Sequence, residues 1–198
     1  MDYEVENILA NAKKKKKINC KDKEKRSVNQ LASVLNKRFS KILTPNPDWG
    51  KFSRSVGSGN RWGQRVGLSK SNLQTYSGDL SCPEHFLWVI ESKAGYENID
   101  LCSAINEGST ELDAWMDQVS KDADRSQRQP MLVWKKDYKP RIVFLTTDDF
   151  VWLLRFKPNP FKYRFEYAEW VGVSFDMLLR EFPDQAFFEG KYGLTGFF

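Results

Sequence analysis

A chain of 198 residues, 40% hydrophobic and 14% aromatic, has the length for one domain with appendages and the apolar content for a real core. Its single histidine, His85, and its three cysteines, Cys20, Cys82 and Cys102, none in Cys-x-x-Cys spacing, exclude His-rich metal nucleases, zinc deaminases, a structural zinc site and a disulfide framework. The net charge of +5 is uneven: residues 1–41 hold twelve Lys/Arg against five Asp/Glu, and the remainder nineteen against twenty-one.

That basic front end, with five consecutive lysines at Lys13 to Lys17, points to a polyanion partner, nucleic acid fitting best, or else to a solubilising tail. No apolar run approaches the roughly 20 residues of a membrane span. Ile8-Leu9-Ala10 is too short for a signal core. A cytoplasmic protein with reduced cysteines and no membrane contact is expected.

In chain order, residues 1–22 read as a loosely ordered basic arm. Residues 24–43 read as an amphipathic helix, with Val28, Leu31, Ala32, Leu35, Phe39 and Ile42 at helical spacing. Lys37, Arg38 and Lys41 cluster at its C-terminal end, and Thr44-Pro-Asn-Pro47 stops it. Phe52 to Val56 is a strand leading to Gly57-Ser58-Gly59-Asn60, either an ordinary turn or a phosphate-contact loop. The polar stretch that follows, with Arg61, Arg65 and Lys70, is expected to be a mobile loop. Tyr76 to Leu80 and Phe86 to Ala94 are strands, and 95–110 is a connector. His85 lies in the turn between those two strands. Glu111 to Gln129 is a second helix, its apolar face made by Leu112, Trp115, Met116, Val119 and Ala123. Met131 to Trp134 and Arg141 to Leu145 are short strands. Thr146-Thr-Asp148 caps a short helix through Leu154. Phe161 to Trp170 alternates as a strand, and Phe175 to Leu179 is helical. The succession predicts a mixed α/β domain.

The most informative residues are Asp79, at the end of one strand, and Glu91-Ser92-Lys93, at the end of an apolar one. Strand side chains alternate, so Glu91 and Lys93 face the same way. Were the two strands a hairpin, Asp79 would fall beside Glu91. Two carboxylates are the minimum for holding Mg²⁺ over a phosphate, and an ammonium nearby can orient water or stabilise charge.

Gly-Asp79…Glu91-x-Lys93 resembles the PD-(D/E)xK nuclease superfamily, and the element order resembles its αβββαβ core. Arg54-Ser-Val-Gly-Ser58-Gly59, Trp115-Met-Asp-Gln118 and Gln129-Pro-Met-Leu-Val-Trp-Lys135 resemble segments of the archaeal and phage Holliday junction resolvases within it. The resemblance implies a restriction-endonuclease-like core over 23–147, a mixed central sheet flanked by helices. A C-terminal extension, 148–198, would pack on that core or at a dimer interface. It implies a metal-dependent DNA endonuclease in a bacterial or phage-infected cell, acting on branched or duplex DNA, commonly as a homodimer. Asp79, Glu91 and the Ser92 carbonyl would hold Mg²⁺, for which Mn²⁺ can substitute. Lys93 would position water, Ser58 would lie near the scissile phosphate, and Gln118 would project toward the site. Arg54, Ser58, Asn60, Arg61, Arg65, Lys70, Lys37, Arg38 and Lys41 would contact the DNA backbone. Such resolvases carry a glutamate on the opening helix. Here the comparable positions are Asn29 or Gln30, with Glu24 earlier, so either Glu24 serves or an amide or water replaces it. Two alternatives remain open: another DNA endonuclease of the superfamily (nicking, repair or homing), and a non-catalytic binding module on the same scaffold.

Overall fold

The computed structural model describes residues 20–55, 77–96 and 98–188. The lysine run, Ser58, Asn60, Arg61, Arg65 and Lys70 lie outside them. Helix α1 (Cys20–Arg38) is followed by a single turn, α2 (Ser40–Leu43). Two short strands, β1 (Ser53–Arg54) and β2 (Leu80–Ser81), pair antiparallel. Then come β3 (Trp88–Ala94), α3 (Leu101–Glu107), α4 (Thr110–Ser126), β4 (Gln129–Lys135), β5 (Ile142–Thr146), α5 (Thr147–Leu153), β6 (Phe165–Tyr167), β7 (Trp170–Ser174) and α6 (Phe175–Glu181). Five strands form one sheet in the order β3-β4-β5-β7-β6. Only β3 and β4 run parallel, and α3 and α4 supply the crossover that a parallel pair needs. This is the expected mixed sheet flanked by helices, of restriction-endonuclease-like class.

The sequence dictates the layering by alternation. β3 is buried on both faces, as a strand covered on each side must be. Trp88 and Ile90 pack with Met131, Val133, Val143 and Leu145 against the Val28, Leu31, Leu35 stripe of α1. Val89 faces the other way, with Leu132, Trp134 and Phe144, onto Leu112, Trp115, Met116 and Val119 of α4. Glu91 and Lys93 share the Val89 face and therefore look toward α4. Pro130 lies in β4 two residues ahead of the first β5 pairing at Leu132, where its missing N–H breaks no β4–β5 bond.

Several expectations shift. The single helix over 24–43 starts at Cys20 and is interrupted at Phe39, whose backbone (φ −101°, ψ 15°) leaves the α region. The Phe39 ring is fully buried among Phe52, Phe86, Phe187 and Phe188, with centroids 5.1–6.1 Å away. The connector over 95–110 contains helix α3, capped by Asp100, whose carboxylate accepts from Cys102 N and Ser103 N. The strand over 161–170 is two strands, β6 and β7, and the second runs on to Ser174. The second helix ends three residues before Gln129, because Gln127 is left-handed (φ 55°). Thr146 does cap α5, accepting from Asp149 N at 3.1 Å.

Arg38, expected among the DNA contacts, is occupied within the protein. Its guanidinium donates to Leu179 O (2.5 Å), Phe182 O (3.0 Å) and Asp184 Oδ1 (2.6 Å). It ties α1 to the segment after α6. Arg38→Ala is expected to destabilise the fold by about 2 kcal/mol or more, since it strands two partly buried carbonyls. A solvated arginine would cost within about 0.5 kcal/mol. Urea unfolding of the two proteins checks this.

Candidate active site

Gly78 creates the site. Its φ is +72°, and a Cβ there would lie 2.5 Å from the Ile90 carbonyl oxygen and 3.0 Å from Val89 Cγ2. Only glycine lets the chain pass this close to β3 in this conformation. The crossing is pinned on both sides: Asp79 N donates to Ile90 O (3.0 Å), and Ser55 N donates to Asp79 O (2.9 Å). Ser92 N then donates to Asp79 Oδ2 at 3.0 Å. So Asp79 does come beside the Glu91-Ser92-Lys93 segment, but not through the expected hairpin. Its short strand pairs with β1, and a single tight crossing carries the acid to β3.

On the α4 side, Lys93 Nζ donates to Glu91 Oε1 at 2.6 Å and to Gln118 Oε1 at 3.0 Å. Gln118 Nε2 donates to the same Glu91 Oε1 at 2.6 Å. The carboxamide of Gln118 thus bridges both charged groups, although Gln118 itself is an exposed residue. Glu91 is 1% exposed, Asp79 7% and Lys93 8%. Glu91 Oε2 is buried and accepts no hydrogen bond. An orphaned carboxylate oxygen is costly and calls for a partner that the polypeptide does not supply.

The electrostatics follow from this burial. Desolvation pushes the Glu91 carboxyl up to about 8, and the neighbouring Asp79 adds to the rise while Lys93 opposes it. Asp79 is raised too, by burial first, with the Ser92 N–H pulling the other way. Burial alone would lower Lys93, but Glu91 and then Asp79 outweigh it and the ammonium is held above its ordinary range. The site therefore keeps a cation at Lys93 and resists ionising both carboxyls at once.

Two further acids act on the site: Asp122, which the sequence did not single out, and Glu24, the candidate for the opening-helix carboxylate. Asp122, on α4 one turn beyond Gln118, is 4% exposed, and burial raises its carboxyl while Arg125, 3.4 Å away, opposes the rise. Its charge reaches both Asp79 and Glu91. Glu24, half-buried on α1, is close enough to raise Asp79, whereas Asn29 and Gln30 are exposed. Helical spacing places Glu24 with Ser27, Val28 and Leu31 on the inward stripe. Of the residues expected on DNA, Arg54, Lys37 and Lys41 stand at the surface. His85 packs edge-on against Trp49 (centroids 4.6 Å), away from this chemistry.

This fold and this cluster define the class, a nuclease of the PD-(D/E)xK type. Residues 35–189, more than three quarters of the chain, match the family described as "Phage putative PDDEXK endonuclease", and the chain belongs to that family. The match runs through the whole sheet and α6, and begins after Glu24. No curated protein and no solved structure matches the chain.

Nucleases of this type generally use divalent metal ions. Among the described residues no group of three or more His, Cys, Asp or Glu forms a ready cage for a metal. The donors present are nonetheless of the right kind. Asp79 and Glu91 are hard oxygen ligands, and Glu91 Oε2 lacks any other partner. An ion that keeps several waters and takes one or two carboxylates fits such a site. No helix among the described residues is long and apolar enough to cross a membrane.

Proposed function

We propose that this chain is a Mg²⁺-dependent DNA endonuclease, structure-specific in the manner of a Holliday junction resolvase. The observation that carries the reading is the buried, unpartnered Glu91 Oε2 between Asp79 and the Lys93–Gln118 pair. Asp79 and Glu91 hold Mg²⁺ or Mn²⁺, with the Ser92 carbonyl as a further oxygen and Glu24 in the place of the opening-helix glutamate. Such an ion supplies Lewis-acid polarisation of the phosphate and a bound water of lowered pKa. Lys93, kept protonated and fixed by Glu91 and Gln118, orients the attacking water and stabilises negative charge developing on the phosphate. Ser58 and Arg54 flank the scissile phosphate. Asn60, Arg61, Arg65, Lys70, Lys37 and Lys41 hold the backbone without reading sequence. Residues 1–22 add a basic arm, and two copies act together, as paired cuts across a four-way junction require.

The test is a labelled four-way junction beside matched duplex, flap and single-stranded DNA in Mg²⁺. Paired symmetric cuts in the junction alone are expected. Cutting of a flap or duplex instead would keep the nuclease and replace the junction assignment with a repair or nicking substrate. Tight binding without cutting in either Mg²⁺ or Mn²⁺ would leave a non-catalytic DNA-binding module.

A further inference from the structure

We propose that the rim of the sheet beside Lys93 is a second DNA contact, where Tyr96 and Tyr138 stack on unpaired bases and Lys139 holds the adjoining phosphate. This rests on the nuclease reading above.

β3 and β4 run parallel, with Lys93 opposite Trp134 and Ala94 opposite Lys135, so both strands leave the sheet at the end where Lys93 lies. The chain after β3 turns at Tyr96, closed by Ile99 N donating to Tyr96 O (3.1 Å). The chain after β4 turns at Tyr138, closed by Lys139 N donating to Lys136 O (3.2 Å). Three bonds lock the two turns into one continuous rim. Gly95 N donates to Lys135 O (2.9 Å), Trp134 Nε1 to Gly95 O (3.2 Å) and Lys136 Nζ to Ile99 O (2.8 Å).

Each turn holds a tyrosine in the left-handed region, φ 58° at Tyr96 and 60° at Tyr138, where glycine or asparagine is the usual residue. Strained residues of this kind cluster at ligand clamps. Both rings are exposed, that of Tyr138 completely. The Tyr96 ring is supported edge-on by Trp115 (centroids 4.6 Å). Trp115 lies three residues before Gln118, the partner of Lys93, so Tyr96 and Lys93 rest on neighbouring positions of one helix face. Tyr138 is four residues beyond Trp134, whose strand runs about 5 Å from that of Lys93. Chain reach keeps it within about 20 Å of Lys93, a few nucleotides along a strand.

The charge of the rim suits a nucleic acid. Residues 135–141 carry Lys135, Lys136, Lys139 and Arg141 against Asp137 alone, and Asp137 is paired with Lys23 at 2.7 Å. An exposed aromatic beside a lysine offers a face for a base and a cation for its phosphate. Paired bases hide their faces within the stack, so the ligand is an unpaired base, as occurs at a branch.

The experiment is fluorescence-anisotropy titration of the full chain, in a chelator so that nothing is cut. The two probes are a forked DNA with single-stranded arms and a fully paired duplex of the same length. Tyr138→Ala and Tyr96→Leu, the latter keeping apolar packing on Trp115, are each expected to weaken fork binding by about 5- to 100-fold and duplex binding by no more than about twofold. Tyr138→Phe, which keeps the ring, should bind the fork like wild type. Lys139→Ala should weaken both DNAs and lower the salt dependence by about one counterion. Fork affinity unchanged in either tyrosine variant overturns the inference, as does a loss shared equally by the duplex. Wild type that binds neither DNA, and cuts none in Mg²⁺, would instead remove the nuclease reading itself.

Discussion

Glu91→Gln is expected to abolish cleavage, by about a thousandfold or more, and also to make the metal-free protein less sensitive to alkaline pH. The first effect follows from removing the charge of the carboxylate proposed to hold the metal and to pair with the Lys93 ammonium. The second follows from burial. Glu91 is pushed up to about 8 from the ordinary 4.5. Between those values the folded chain holds a proton that the unfolded chain has released. The associated stability is fully present below about 4.5 and is lost as pH rises through about 8. Gln carries no such proton and needs none. Wild type in a chelator should therefore lose melting temperature between pH 6 and pH 9 more steeply than Glu91→Gln. Added Mg²⁺ should restore wild type most at the upper end, where no proton competes for the oxygens, and should leave the variant unmoved. Parallel melting profiles for the two proteins would show that Glu91 ionises freely and is not the orphaned acid described above.

Gly78→Ala is expected to be the most damaging single methyl added at any glycine among the described residues. Two costs add. A left-handed backbone costs an L-residue about 1–2 kcal/mol. The new Cβ would also meet the Ile90 carbonyl at 2.5 Å, a backbone atom in a buried strand that cannot step aside. Overpacking of this kind adds about 1–3 kcal/mol. Gly50 is the internal control: its φ is +80°, yet a Cβ there would meet nothing within 4 Å. Gly50→Ala should cost only the conformational part and leave metal binding intact. Gly78→Ala should lose about 2–5 kcal/mol in urea unfolding and displace Asp79, so that whatever folds no longer binds metal. Equal loss from the two substitutions would mean that Asp79 does not depend on the close crossing of β3.

The parts of the site that were legible in sequence were those written in local periodicity. Glu91 and Lys93 are two residues apart on an apolar strand, so their common face needed no tertiary knowledge. The apolar stripe from Leu112 to Ala123 gave α4 directly. The link between Asp79 and Glu91 was right in outcome and wrong in route. A hairpin is the local way to join two strands, whereas the protein uses a glycine crossing whose closeness depends on where Ile90 lies. Asp122 was beyond local reading, because its burial and its nearness to Asp79 and Glu91 come from tertiary packing. The one available signal was its spacing of four from Gln118, which puts both on one helix face. Helix α3 was missed because it buries only Ala104 and shows no apolar stripe. Its signal was the cap, Asp100 followed three residues later by Ser103. Arg38 looked like part of a basic patch suited to a helix end, and only the fold brings the carbonyls of Leu179 and Phe182 to it.

The most direct measurement is DNA cleavage by wild type and Lys93→Ala, each with Mg²⁺ and with a chelator, with Mn²⁺ binding followed in parallel. Wild type should cut in Mg²⁺ and not in the chelator, and Lys93→Ala should still bind Mn²⁺ while cutting at least about a hundredfold more slowly. Cleavage that survives the chelator, or that proceeds unchanged without the Lys93 ammonium, would contradict a metal-dependent site built from Asp79, Glu91 and Lys93.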